Sequence, residues 1–199
     1  MPNPNVITVG SSGYATFCSP LPTDFSDITD IKAYIASGFS PSTGSLLLTR
    51  VTEVPAGEGL YIKGTPGTYE IPSEPTDMYY SNLLTGVTEA TTINPTDGSM
   101  TNFILANGSH GVGFYTILEA GELAAGKAYL QLPTASVASV KELNLLFDDE
   151  DEVENETGII RPTNDFSRKG GEIFNISGQR VSKAEKGLYI VNGKKVFVK

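Results

Sequence analysis

Apolar stretches in this chain run four to eight residues before a glycine, proline, asparagine or aspartate ends them, and that punctuation admits short strands and little else. Helical periodicity is scarce. The segments expected to be strands are Val6–Val9, Tyr14–Cys18, Ile31–Ala36, Leu46–Val51, Gly59–Lys63 and Thr68–Ile71. They continue with Asn102–Ala106, Gly113–Leu118, Ala128–Leu132, Val140–Phe147, Glu172–Ile176, Leu188–Val191 and Lys195–Val198. One short helical turn is expected over Pro22–Ile28, capped by Thr23 or Asp24. A chain with 21 Gly, 12 Pro and nine Tyr suits strands joined by tight turns. The fold class is therefore all-β, an antiparallel sandwich or a barrel-like domain.

An internal echo sharpens this reading. Shifted by 69 positions, Ala33 to Gly64 (AYIASGFSPSTGSLLLTRVTEVPAGEGLYIKG) lies over Asn102 to Pro133 (NFILANGSHGVGFYTILEAGELAAGKAYLQLP) without a gap. Identities are few, but the pattern of residue classes holds. An aromatic and an isoleucine open each copy, and Glu-apolar-(Pro/Ala)-Ala-Gly precedes an apolar strand in both. Ala56-Gly57 and Ala125-Gly126 stand where a turn needs a residue tolerant of positive φ. A diverged duplication with pseudo-twofold halves is expected.

A net charge of -9 argues against nucleic acid as a partner, because phosphate binders gather Lys and Arg on one face. Cys18 is the single cysteine, so neither an intrachain disulfide nor a thiolate metal cage can form; in YATFCSP it reads as a small buried hydrophobe. No apolar run approaches the roughly 20 residues that span a bilayer, so no transmembrane segment is expected. The start, MPNPNVITVG, lacks the charged and apolar regions of a secretory leader. Either the protein stays inside the cell, or the sequence is a fragment from which a leader is missing.

After Phe147 the composition changes to DDEDEVENE, in which seven of nine residues are acidic. Such a block repels itself and reads as a solvated linker; a calcium site would need the spacing of a D-x-[DN]-x-[DN]-G loop, which is missing. The expected organisation is a β-sandwich or barrel-like module over 1–147, an acidic linker over 148–170 and a small β-meander over 171–199. In that last part, Ser177-Gly178 and Asn192-Gly193 separate three strand-like runs, and Asn-Gly favours a type I′ turn. A meander of this size needs a surface or a partner to hold it.

The run IFNISGQRVSKAEKGLYIVNGKKVFVK resembles the C-terminal sorting tail of Bacteroidetes surface proteins, which the type IX (Por) secretion system recognises. The matching motifs are the strand and turn at Phe174 to Val181 with Gly178, the Lys-Gly-Leu-Tyr-Ile strand with Gly187 and Tyr189, and the ending Gly193, Lys194, Lys195, Val196 through Lys199. Upstream, FDDEDEVENETGI is similar to the acidic bridge that precedes such tails in Bacteroides and Prevotella proteins. YATFCSP, VPAGEGLYIKG and GVGFYTILEAGELAAGKAYLQLP resemble a functionally unassigned β-module of the same surface proteins. The resemblance implies export across the outer membrane, with the secretion machinery as partner of the tail and a secreted or cell-surface location.

Chemistry gets little support from the residues. His110 is the single histidine, no nucleophile-elbow, phosphate-loop or zinc motif occurs in context, and no catalytic residue, cofactor or metal ligand is assigned. Glu53, Glu58, Glu119 and Glu122 near the repeated turns are the carboxylates a glycoside or peptide hydrolase would draw on. Tyr79 and Tyr80 in TDMYYSN are the candidate binding residues for a glycan or a surface protein, with one ring exposed if the stretch is extended. The expected function is a non-catalytic structural or binding module, not an enzyme; a glycan-binding module of a larger surface protein is the alternative, and a hydrolase ranks third.

Overall fold

The computed structural model describes residues 5–108, 111–138, 140 and 143–149, and in the C-terminal part 173–175, 180–181, 187–191 and 194–198. The chain divides into two compact units, Met1–Asp149 and Glu150–Lys199. The fold is all-β, with several antiparallel sheets, a half-barrel and, among the described residues, a single short helix.

In the first unit the strands are β1 (Val6–Val9), β2 (Tyr14–Phe17), β3 (Thr23–Asp24), β4 (Ile31–Ser40), β5 (Ser45–Val51), β6 (Glu53–Val54), β7 (Leu60–Gly64) and β8 (Gly67–Glu70). There follow β9 (Leu84–Val87), β10 (Thr91–Ile93), β11 (Thr96–Asp97), β12 (Met100–Gly108), β13 (Gly111–Thr116), β14 (Gly121–Leu123), β15 (Lys127–Pro133), helix α1 (Thr134–Val137) and β16 (Asn144–Phe147). One sheet has the order β16-β5-β4-β7-β2, and another runs β11-β12-β15-β9 with β13 also paired to β12.

These sheets repeat one wiring. In the first, β4 lies between β5 and β7, and β2 adds to β7; in the second, β12 lies between β13 and β15, and β9 adds to β15. The register repeats as well. Ile31↔Gly64 through Tyr34↔Tyr61 in β4–β7 reappears as Met100↔Pro133 through Phe103↔Leu130 in β12–β15, every position moved by 69 (31 to 100, 64 to 133). Even the small ladders correspond: Thr23↔Val54 of β3–β6 returns as Thr91↔Leu123 of β10–β14. Gly57 and Gly126 hold φ of 80° and 79°, the left-handed conformation expected of the Ala-Gly turns.

The gapless overlay needs one correction. Leu48 lies opposite Ala36 and Phe114 opposite Leu105, so β13 follows β5 by 66 positions (48 to 114) while its partner strand keeps 69 (36 to 105). Four residues, 41–44, join β4 to β5 but only two, 109–110, join β12 to β13, and β4 carries a bulge between Ala36 and Gly38. A shorter connection pulls the returning strand along its neighbour, and inward residues must still face inward.

Two cores result. Tyr34, Ala36, Leu46, Leu48 and Tyr61 of the first sheet meet Leu84, Phe103, Phe114, Leu130 and Leu132 of the second. On its other face the first sheet buries Phe17, Ile31, Ala33, Ile35, Leu60 and Ile62 under residues that include Ile7, Val9, Phe25, Val54 and Ile71. Because β4 and β7 are covered on both faces, their segments AYIA and LYI show unbroken apolar runs rather than alternation. Each large side chain so buried contributes about 1.5–3 kcal/mol.

The expected helical turn over Pro22–Ile28 is not formed. Thr23 and Asp24 pair with β6 instead, and Phe25 is buried in the core on the other face of the first sheet, a tertiary contact that outweighs local capping preference. Asp24 still caps a turn, its Oδ1 accepting the Ser26 N–H at 2.8 Å. Of the strand expected over Val140–Phe147, Asn144–Phe147 is formed as β16, whereas the Val140 N–H donates to the Val137 carbonyl in the turn after α1, and residues 141–142 lie outside the described residues.

Strand β16 pairs parallel with β5, and the two aspartates after it fasten the chain to the sheet. Asp148 Oδ1 accepts the Arg50 N–H at 2.9 Å. Asp149 accepts from Lys32 Nζ at 2.7 Å and from the Tyr34 hydroxyl at 2.9 Å, with Arg50 at 3.8 Å. The acidic run thus starts as part of the module, while its residues from Glu150 onward lie outside the described residues. Burial pushes the Asp149 carboxyl up, but the hydrogen bonds from Lys32 and Tyr34 and the charges of Lys32 and Arg50 prevail and hold it below 3.8. A carboxyl depressed in the folded state stabilises it above the unfolded-state value and loses that contribution as pH falls through the folded value. Asp149→Asn is therefore expected to cost about 1 kcal/mol at pH 7, kept small by solvent around the half-exposed Lys32, with the difference from wild type shrinking as pH falls below 3.8 in urea titrations.

The second unit comprises β17 (Ile173–Asn175), β18 (Arg180–Val181), β19 (Gly187–Val191) and β20 (Lys194–Val198), in the antiparallel order β18-β17-β19-β20. Pairing of Val191 with Lys194 leaves two residues, 192–193, between the last strands. No helix among the described residues is long and apolar enough to cross a membrane.

Candidate binding surfaces

Tyr79 and Tyr80 lie on an extended, unpaired stretch, so their side chains diverge as neighbours in extended chain must. Tyr79 is 92% exposed, whereas Tyr80 packs against the core that holds Phe25 and Val54, and its hydroxyl donates to the Glu53 carbonyl at 2.7 Å. Burial, then the charges of Glu53 and Glu58, push the Tyr80 phenol up and keep it neutral. The pair thus separates into one exposed ring and one anchor.

The carboxylates take structural partners or stand in solvent. Glu53 Oε2 accepts from Thr76 Oγ1 at 3.0 Å, Glu58 Oε1 accepts from Asn82 Nδ2 at 2.7 Å, and Glu119 and Glu122 are exposed. His110 lies outside the described residues. Cys18 is fully buried, and burial together with the charge of Glu58 pushes its thiol up to about 11, so the thiol stays protonated at neutral pH.

Of the tail residues, Val181 stands in β18, Gly187 and Tyr189 in β19, and Lys194, Lys195 and Val196 in β20. Tyr189 pairs with Val196, and Ile190 with Lys195. Gly178, Gly193 and Lys199 lie outside the described residues.

A feature the residues alone did not reveal lies where the halves of the first unit meet. The Gly57 N–H donates to the Ser19 carbonyl at 2.7 Å, and the Gly126 N–H donates to the Val87 carbonyl at 2.7 Å. Each turn also touches the opposite half: Glu58 bridges to Thr85, and the Cys18 N–H donates to the Gly126 carbonyl at 3.1 Å. Beside this seam lies an open cleft of about 420 Å³, lined by Tyr14, Thr16, Leu105, Asn107 and Lys127 among others, and next to it a second of about 330 Å³ that shares Thr8, Thr16 and Lys127. Lys127 is the one charged residue lining either cleft among the described residues.

No protein-family model matches the chain, and no curated protein or solved structure matches it.

Proposed function

We propose that the chain is a non-catalytic module of the secreted or cell-surface proteome, serving structure, display or binding, with its C-terminal unit as an export address read by secretion machinery. One observation carries this reading: the three motif segments of the tail supply the strands β17 with β18, β19 and β20, which pair in a single antiparallel sheet. A recognition element needs a defined shape as well as a motif, and a paired sheet supplies one. Deleting Gly171 to Lys199 from a leader-bearing gene is expected to leave the product in the periplasm. Unchanged delivery of the deletion to the surface or medium would refute the reading.

Glycan binding is the second reading, favoured by the nearly complete exposure of the Tyr79 ring. A glycan array on the full chain is expected to show signals that Tyr79→Ala abolishes; signals indifferent to that change would count against it.

A further inference from the structure

The duplication supplies an internal reference for the larger cleft. Through the β2–β7 and β9–β15 registers, Tyr14 occupies the position that Asn82 holds in the other copy, just as Thr16, opposite Tyr61, matches Leu84, opposite Leu130. Asn82 fills its site completely. Its Oδ1 accepts the N–H groups of Ala36 at 2.9 Å and Leu84 at 3.0 Å, and its Nδ2 donates to Glu58 Oε1 and the Gly59 carbonyl, both at 2.7 Å. The corresponding positions in the other copy are Leu105 for Ala36, Lys127 for Glu58 and Ala128 for Gly59. There the small amide is replaced by a tyrosine whose ring turns toward Tyr61, at 5.9 Å between centroids, and the carboxylate is replaced by an ammonium. The result is a cleft in place of a saturated hydrogen-bond clamp.

The cleft is largely apolar, and Ile104, Leu105, Val112 and Leu123 are among its walls. The Thr16 hydroxyl is already engaged, accepting the Ala128 N–H at 3.2 Å. The Lys127 ammonium has no hydrogen bond or ion pair among the described residues, in a chain whose net charge is -9. A half-buried cation beside apolar walls favours a ligand that brings one negative charge and a short hydrocarbon body. We propose that this cleft binds a small organic carboxylate, with the carboxylate on Lys127 and the apolar body against Leu105 and Val112. The volume of about 420 Å³ falls in the roughly 300–1,000 Å³ range of small-molecule sites.

Octanoate is the probe, titrated into the full ¹⁵N-labelled chain with octanol and octylammonium as neutral and cationic counterparts. Saturable amide shifts are expected at Tyr14 to Thr16, Leu105 to Asn107 and Lys127 to Ala128, with octanoate binding at least about tenfold more tightly than octanol and octylammonium more weakly still. Lys127→Met is expected to erase the octanoate advantage while Lys127→Arg keeps it, and the dispersion of each spectrum reports directly that the variant is folded. Equal affinity for octanol, shifts centred elsewhere, no saturable shift, or octanoate binding unchanged in folded Lys127→Met would each overturn the proposal.

Discussion

Tyr61→Ala is expected to destabilise the first unit by about 3–5 kcal/mol, the range for removing a large aromatic from a filled core. Tyr61 is 1% exposed, and its ring lies between 5.7 and 6.4 Å, centroid to centroid, from those of Tyr14, Tyr34, Phe114 and Phe147. Those four rings come from β2, β4, β13 and β16, so a single side chain joins both halves of the duplication and the closing strand. Its removal leaves a void bordered by rigid rings on stiff strands, which cannot collapse to refill it. Urea unfolding is the measurement. Since domains of this size have total stabilities of about 5–15 kcal/mol, the midpoint falls by about a fifth or more, whereas Tyr61→Phe, which keeps the ring, costs less than about 1.5 kcal/mol.

Gly86→Val is expected to cost about 3 kcal/mol for the opposite reason, since there is no room. A Cβ at Gly86 would meet the Gly57 carbonyl oxygen, Cys18 Sγ at 2.5 Å and the Gly59 nitrogen at 3.1 Å, and two of those three are backbone atoms that cannot rotate away. The β2–β7 and β9–β15 registers make Gly86 the counterpart of Cys18, and these two equivalent positions touch each other, as positions near a twofold axis do. Removing the sulfur should therefore relieve part of the strain. The double variant Cys18→Ala, Gly86→Ala is expected to be more stable than the sum of its single changes predicts, by about 0.5–1 kcal/mol, a coupling that separate sites would not show. Gly38→Ala, with nothing within 4 Å of its added carbon, is the control and is expected to stay within about 0.5 kcal/mol of wild type.

The all-β class and the duplicated halves were legible because β4, β7, β12 and β15 carry dense apolar runs bounded by turn glycines, and the repeated Ala-Gly pair marks a backbone requirement that substitution rarely tolerates. The ladders of β3, β10 and β14 were missed or misread because each is two or three residues long and is fixed by its partner strand rather than by its own pattern. Residues Pro22 to Ile28 show the same effect: a capping signal was present, but Phe25 had a core to enter. The overlay slipped at β13 because loop length sets hairpin register, and loop length carries no hydrophobic signature. One cue to the cleft was visible without coordinates. The 69-position overlay sets Lys127 on Glu58, a charge reversal beside the repeated turn. Tyr14 and Asn82, by contrast, correspond only through strand register, which a pattern of residue classes does not carry.

The duplication is tested most directly by scalar couplings across hydrogen bonds, measured on the full chain by NMR. Pseudo-twofold wiring predicts a coupling from the Gly57 amide nitrogen to the Ser19 carbonyl carbon and its counterpart from Gly126 to Val87, both bonds being 2.7 Å long. Observation of both supports two halves folded alike around one seam. A coupling in one half whose counterpart connects Gly126 to a different carbonyl would contradict it.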